Sequence, residues 1–244
     1  MLADKIVIVT GAGSGIGKQS TNVCVREGAT VVAVDYNGSE KATAEAFGER
    51  VVPFHCDIAR DEDIDALYDM VGSRFGRVDV VMNVAGTHGG RPPEVLTVTE
   101  FERMTEVNLR GLVYMTERAV PMMIANGGGA FVNVSSISSV NVERSTSFMY
   151  AAAKAGVNAF TKSIAVEYGP QGIRANAIAP GFTFTEFMGE NPPHFAEMSK
   201  KAALNRHGTA LELAEAAAFL ASDRASFISG VILPVDGGWS ARLV

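Results

Sequence analysis

The run IVIVTGAGSGIGKQS, residues 6–20, passes from an apolar, β-branched stretch into four glycines within seven residues. Residues 6–10 read as a first strand and the residues after the glycines as the opening of a first helix. The spacing G-x-G-x-x-G fails in both frames, because Ile16 or Lys18 stands where the third glycine should be. The spacing that fits is G-x-x-x-G-x-G, formed by Gly11, Gly15 and Gly17 with Ser14 and Ile16 between them. A side-chain-free turn of this kind lets backbone N–H groups and a helix N-terminus approach a pyrophosphate. A tight strand–helix turn that binds nothing is the alternative, and the density of glycines argues against it.

Further along the chain, apolar runs recur with helix-length segments between them: TVVAVD, VVPFHCD, VDVVMNVAG, GAFVNVSS, IRANAIAPG and GVILPVDGG. They are apolar on both faces rather than alternating, as strands of a covered parallel sheet are. The segments between them, such as 61–76 and 100–127, are amphipathic. This alternation predicts an α/β fold, a doubly wound sheet of about seven parallel strands with helices on both faces, in a single domain over 1–244. Pro234 in the last run suits an edge strand, where a missing N–H is tolerated. The stretch 182–208 breaks the alternation with Pro192–Pro193 and aromatics at 182, 184, 187 and 195. It reads as a lid or substrate loop over the carboxyl edge of the sheet.

Composition narrows the function classes. The net charge is −6 with basic residues scattered, which argues against a nucleic-acid surface. No apolar run reaches the ~18–20 residues needed to cross a bilayer. The strand-like run begins almost at once, which leaves no room for a signal peptide. Two cysteines, Cys24 and Cys56, make no disulfide framework and read as small buried hydrophobes. The histidines 55, 88, 194 and 207 have no ligand-like spacing, so no metal is expected. A cytosolic (cytoplasmic) protein without membrane contact is expected.

The second strand ends in Asp35, which can accept hydrogen bonds from adenosine ribose hydroxyls and would repel a 2′-phosphate. Tyr36, Asn37, Gly38 and Ser39 offer no positive charge to rescue one, so NAD is favoured over NADP. Tyr150 and Lys154 stand at i, i+4 and project from one face of a helix. Tyr114 and Arg118 repeat that spacing, so spacing alone assigns no chemistry to either pair.

The motifs TGAGSGIG (10–17), CDI (56–58), NVAG (83–86), Asn108 in EVNLRG, VNVSS (132–136), YAAAK (150–154), APG (179–181) and VDGG (235–238) occur in this order. In this the chain resembles the short-chain dehydrogenase/reductase family from Lys5 to Gly238. The resemblance implies a Rossmann-type sheet, a nicotinamide cofactor and catalysis by Asn108, Ser136, Tyr150 and Lys154. By the same resemblance Asp57 and Ile58 flank the adenine, Asn83, Ala85 and Gly86 line the cofactor, the segment after Pro180–Gly181 holds the nicotinamide amide through Thr183 with Thr185 nearby, and Tyr150 and Lys154 also meet the cofactor, Lys154 at the nicotinamide ribose. Two departures stand out. Val84 replaces the family's usual asparagine, which bears on strand support more than on chemistry. The segment before Tyr150 is about one residue longer than usual, so Ser135, Ser136, Ser138 and Ser139 compete for one role. Ser136 is preferred for its offset from the strand, with Ser138 in reserve.

The expected reaction is hydride transfer between a secondary alcohol and a ketone, with Tyr150 as general acid/base, Ser136 holding the substrate oxygen and Asn108 anchoring a water chain. Bringing a phenol of pKa ~10 to neutrality needs roughly 4 kcal/mol. An ammonium about 4 Å away at an effective dielectric of ~20 would supply about that much. His88 and Phe182 are candidate substrate contacts, and the aromatics of 182–208 suggest a small-molecule partner that is small to medium and apolar. A homotetramer through 100–127 and 150–168 is implied by the resemblance. The rivals are an NAD-binding sensor or structural homologue without turnover, and an NADP-dependent ketone reductase.

Overall fold

The computed structural model describes residues 1–87, 97–142, 147–185 and 195–242. The chain alternates β1 (Ile6–Thr10), α1 (Gly15–Arg26), β2 (Thr30–Asp35), α2 (Glu40–Phe47), β3 (Val51–His55), α3 (Asp61–Phe75) and β4 (Val80–Asn83). It continues through α4 (Val98–Thr105), α5 (Gly111–Ala125), β5 (Gly129–Val134), α6 (Phe148–Glu167), β6 (Ile173–Pro180), β7 (Thr183–Phe184), α7 (Phe195–Ser199), β8 (Gly208–Thr209), α8 (Ala210–Ala221) and β9 (Ile232–Val235). Seven strands form one sheet in the order β3-β2-β1-β4-β5-β6-β9. Every pairing in it is parallel.

Alternate side chains along a strand point to opposite faces, and here both faces are covered. Val7, Val9, Val31 and Ala33 pack with Val23 and Cys24 of α1 and Leu213 and Ala217 of α8. Ile8, Val32, Val34 and Phe131 pack on the other face with Leu67 of α3, Met115 of α5 and Ile164 of α6. That is why the strands read as unbroken apolar runs. Cys24 and Cys56 are buried and unpaired, and burial pushes both thiols up to about 12. No described helix is long and apolar enough to cross a membrane, and the described residues hold no cluster of metal-ligating side chains. Pro234 lies on β9, which pairs only with β6, as an edge strand requires.

The strand order reverses between β1 and its two neighbours β2 and β4, so a crevice opens at the carboxyl ends there. The described parts of the stretch 182–208, residues 182–185 and 195–208, have structure of their own. β7 and β8 pair in parallel, Thr183 with Gly208 and Phe184 with Thr209. Phe195 meets Phe182, Phe184 and His207 edge-on at 5.3, 5.4 and 4.6 Å between centroids. Most of these aromatics therefore pack on one another. Phe187 and Met188 lie outside the described residues.

One side chain ties the end of α8 to the sheet. The Arg174 guanidinium on β6 donates to the carbonyls of Leu220, Ala221, Ser222 and Ile228 at 2.8–3.2 Å. Three of these lie at the helix terminus, where carbonyls lack intrahelical partners. Replacing Arg174 by leucine is expected to cost about 3 kcal/mol, because it orphans several carbonyls at once. Urea unfolding of the two proteins measures it, and lysine should recover less than half.

Candidate active site

The glycine turn is built by close backbone approach. A side chain at Gly17 would stand 2.0 Å from the Gly11 carbonyl, and one at Gly11 2.9 Å from the Ala85 Cα. Gly11 also takes a left-handed φ of 67°. Only glycine permits this packing of α1 on β1 and β4. Ser14 stands at the N-cap of α1 with no side-chain cap, and no acidic residue occupies the first turn. A helix end of this kind accepts an anion. Thr10 Oγ1 accepts hydrogen bonds from the amides of Val84 and Ala85 at 3.0 and 3.1 Å, fixing the β4 exit. Only the backbone of residue 84 is used there, which explains why valine is accepted in place of asparagine.

Asp35, 8% exposed at the end of β2, accepts from the Gly13 amide at 2.9 Å and from the Tyr36 amide at 2.8 Å. Asp57 accepts from the Ala59 amide at 3.0 Å, and its own amide donates to Asp63 at 2.9 Å. Ile58 lies beneath Gly111, where a side chain would stand 2.4 Å from its carbonyl.

Deeper in the crevice, Lys154 of α6 is 3% exposed and donates from Nζ to the Val134 carbonyl at 2.8 Å. Gly86 makes room for it: a side chain there would meet Asn108 Oδ1 at 2.9 Å and Lys154 Nζ at 3.3 Å. Asn108 is buried in a π-helical turn, Glu106–Arg110, between α4 and α5. Its amide donates to the carbonyls of Thr87 at 2.7 Å and Met104 at 2.9 Å. Such a turn leaves the helical ladder locally displaced, a feature common at functional sites.

The structure separates the four serines. Ser135 donates to Ser139 Oγ and to the Lys154 carbonyl, both at 3.2 Å. Ser139 in turn accepts from Asn158 at 2.7 Å. Ser136 Oγ accepts from the Ser138 amide at 3.1 Å, and Ser136 is the serine whose side chain acts on the Tyr150 phenol, favouring its ionised form. Tyr114 takes a different course from Tyr150. Its hydroxyl donates to Asp65 at 2.9 Å, which also pairs with Arg118 on the surface.

A cleft of about 720 Å³ joins these groups. Gly11, Ser14, Gly15, Ile16, Gly17, Asp35, Asp57, Ile58, Ala85 and Gly86 line it, as do Asn108, Ser136, Tyr150, Lys154, Pro180, Gly181, Phe182, Thr183 and Thr185. Asn83 does not. It sits opposite Asn133 on β5 and donates to it at 2.9 Å inside the sheet, so it supports the strand rather than facing a ligand. His88 lies outside the described residues. The cleft also contains residues the motifs did not bring out: Tyr36, Thr87, Arg103, Val107, Met198 and Trp239. Trp239 had a readable signal, as the only tryptophan and directly after the paired glycines 237–238.

The electrostatics correct one expectation. Burial pushes the Tyr150 phenol up, and the hydrogen bond with Ser136 offsets only part of that. The Lys154 ammonium has a backbone partner of its own. Its Nζ is held by Val134 and lies 5.7 Å from the centre of the Tyr150 ring. Burial pushes the lysine down from 10.5 to about 8.

These elements recur in known proteins. A family model described as enoyl-(acyl carrier protein) reductase matches residues 11–240. The cis-4-hydroxycyclohexanecarboxylate dehydrogenase of Sinomonas cyclohexanicum is 39% identical, over 98% of each chain. The cyclohexanol dehydrogenase of Acinetobacter sp. strain SE19 is 36% identical, over 98% of this chain and 96% of its own. A solved structure from Burkholderia xenovorans, assigned to the short-chain dehydrogenases/reductases, superposes with a TM-score of 0.94 at 33% identity, over 100% of this chain and 99% of the other. The chain belongs to the short-chain dehydrogenase/reductase family. As a member of it, the protein is an oxidoreductase acting on CH–OH groups with NAD(P). The residues present suit that cofactor: the glycine cradle leaves no room for side chains, the Ser14 side chain does not cap α1, and an acid stands at the end of β2.

A short-chain dehydrogenase/reductase with so deeply buried a lysine carries a stability cost with a definite sign. Below pH 8 the folded state holds an ammonium that burial disfavours. Between about 8 and 10.5 the folded chain has lost that proton while the unfolded chain keeps it, so stability rises with pH. Wild type is therefore expected to gain about 3 kcal/mol relative to Lys154→Met across that window. Denaturant midpoints of both proteins at pH 7 and pH 10.5 measure it.

Proposed function

We propose that the protein interconverts an alicyclic secondary alcohol and its ketone with NAD, using Tyr150 as the general acid/base. The single observation that carries this reading is the convergence of Ser136, Tyr150, Lys154 and Asn108 at the floor of the same cleft that the glycine turn opens. The ring preference is taken from the two relatives whose names specify cyclohexane alcohols. NAD rather than NADP is supported by Asp35, whose buried carboxylate keeps lone pairs for ribose hydroxyls and has no cation among residues 36–39.

When bound, the nicotinamide ring supplies a site that accepts hydride from the carbinol carbon. The protein's own task is the proton. The Ser136 hydroxyl hydrogen-bonds the substrate oxygen and holds its O–H toward Tyr150. The Tyr150 phenolate takes that proton as the carbon–oxygen double bond forms, and the phenol returns it in the reverse direction. The chain alone holds the phenol protonated, so its working range depends on positive charge brought beside it. Lys154 contributes part of that charge while it keeps its proton, and Asn108 holds the Thr87 backbone at the cleft wall. Pro180, Gly181, Thr183 and Thr185 would hold the nicotinamide amide, and 182–208 would cover the substrate. We also propose a homotetramer, supported by exposed Phe101, Phe148 and Val166 on α4 and α6.

An NAD sensor would need the glycine turn and Asp35 but no Ser136–Tyr150 contact. Tyr150→Phe is expected to lower turnover by at least about a thousandfold, within the range general acid–base catalysis supplies. NAD affinity, measured by calorimetry at pH 6, where the phenol keeps its proton with and without NAD, should change by less than about twofold. Retained turnover would remove the mechanism. Because the base must be ionised, alcohol oxidation should rise with pH and ketone reduction should fall, which initial rates from pH 6 to 10 measure.

A further inference from the structure

The last described residues form a built clasp. Gly237 and Gly238 take left-handed φ values of 63° and 80° and lie against Ala202 and Ala203. Asp236 closes the turn by accepting from the amides of Gly238 at 2.9 Å and Ser240 at 2.7 Å. Arg242 fastens the tail by donating to the carbonyls of Lys200 at 2.9 Å and Lys201 at 3.1 Å. The same turn reaches the cleft, since a side chain at Gly181 would stand 2.7 Å from the Asp236 Cα.

The clasp fixes the orientation of one ring. Trp239 follows the paired glycines and is half-buried. The ammonium of Lys201 lies 5.3 Å from its centre, and the indole lines the cleft together with Met198 and Phe182. Among the described residues the acids that line the cleft, Asp35 and Asp57, belong to its far end, after β2 and β3. The wall beside residues 181–183 thus carries aromatic surface and, among the described residues, no lining acid, and its largest flat surface is held rigid by hydrogen bonds of residues 37 to 43 positions beyond α7. A rigid aromatic face selects for flat, apolar contact area at low entropic cost.

We propose that Trp239 is a specificity-determining residue, a platform on which the ring of an alicyclic alcohol lies while its hydroxyl meets Ser136 and Tyr150. This rests on the alcohol–ketone reading above and adds what selects the substrate's carbon skeleton. Trp239 is the chain's only tryptophan, so its emission reports on this surface alone.

The test has two parts, using the whole protein. Cyclohexanol is added to wild type saturated with NADH, a pair that cannot react, and tryptophan emission is followed. A saturable change is expected, with 2-butanol giving a weaker one. Then kcat/KM is measured for cyclohexanol and 2-butanol in wild type, Trp239→Phe and Trp239→Ala. The ratio of the two is expected to fall about tenfold in the alanine variant and to stay within about twofold in the phenylalanine variant, as lost ring contact predicts. An unchanged ratio in Trp239→Ala, or emission indifferent to cyclohexanol, would overturn the assignment while leaving the reaction in place. Absence of NAD-dependent oxidation of either alcohol by wild type would overturn the reading beneath it.

Discussion

The site is arranged around a buried ammonium. Lys154 lies almost without exposure under the cleft floor, tied to the Val134 carbonyl, in surroundings that push it down to about 8. Its neighbours are explained by it. Residue 86 must lack a side chain because one would press on Nζ and on Asn108, and Asn108 is brought to that point by a displaced helical turn. Ser135 braces the backbone of Lys154 and Ser136 is left to face Tyr150. A charge held in such a place costs stability. Sites that trade stability for a fixed charge are where function is expected to lie.

The parallel sheet makes this arrangement possible. β1 ends where the strand order reverses, so the glycine turn, the β4 exit and the β5 exit open onto one crevice. Backbone contact closer than any side chain would allow binds the first two, and Thr10 joins them by hydrogen bonds. Tyr150 and Lys154, carried on α6, then reach the same crevice because α6 packs on the face of β5 and β6.

The fold was legible because its strands are covered on both faces and therefore read as unbroken apolar runs. The glycine turn, Asp35 and the Tyr150–Lys154 pair were legible for a related reason: each is a local pattern whose physics is decided within a few residues. What could not be read depended on contacts far apart in sequence. Asn83 looked like a ligand residue until its register opposite Asn133 turned it into the sheet. The Tyr150–Lys154 spacing gave no sign that the ammonium also bonds the Val134 carbonyl, 20 residues away. The choice among four serines and the place of Trp239 likewise depend on tertiary contacts.

What remains is how a phenol that burial keeps protonated becomes a base. In the proposed mechanism the Lys154 ammonium, while protonated, supplies one part of the charge this needs, and a bound oxidised nicotinamide would supply the other. The most direct measurement is the titration of Tyr150 itself, by NMR of protein carrying ring-labelled tyrosine, assigned with Tyr150→Phe, alone and with saturating NAD. The account predicts that Tyr150 titrates above the ordinary tyrosine value in the protein alone and well below it with NAD. The same titration in both states would contradict it.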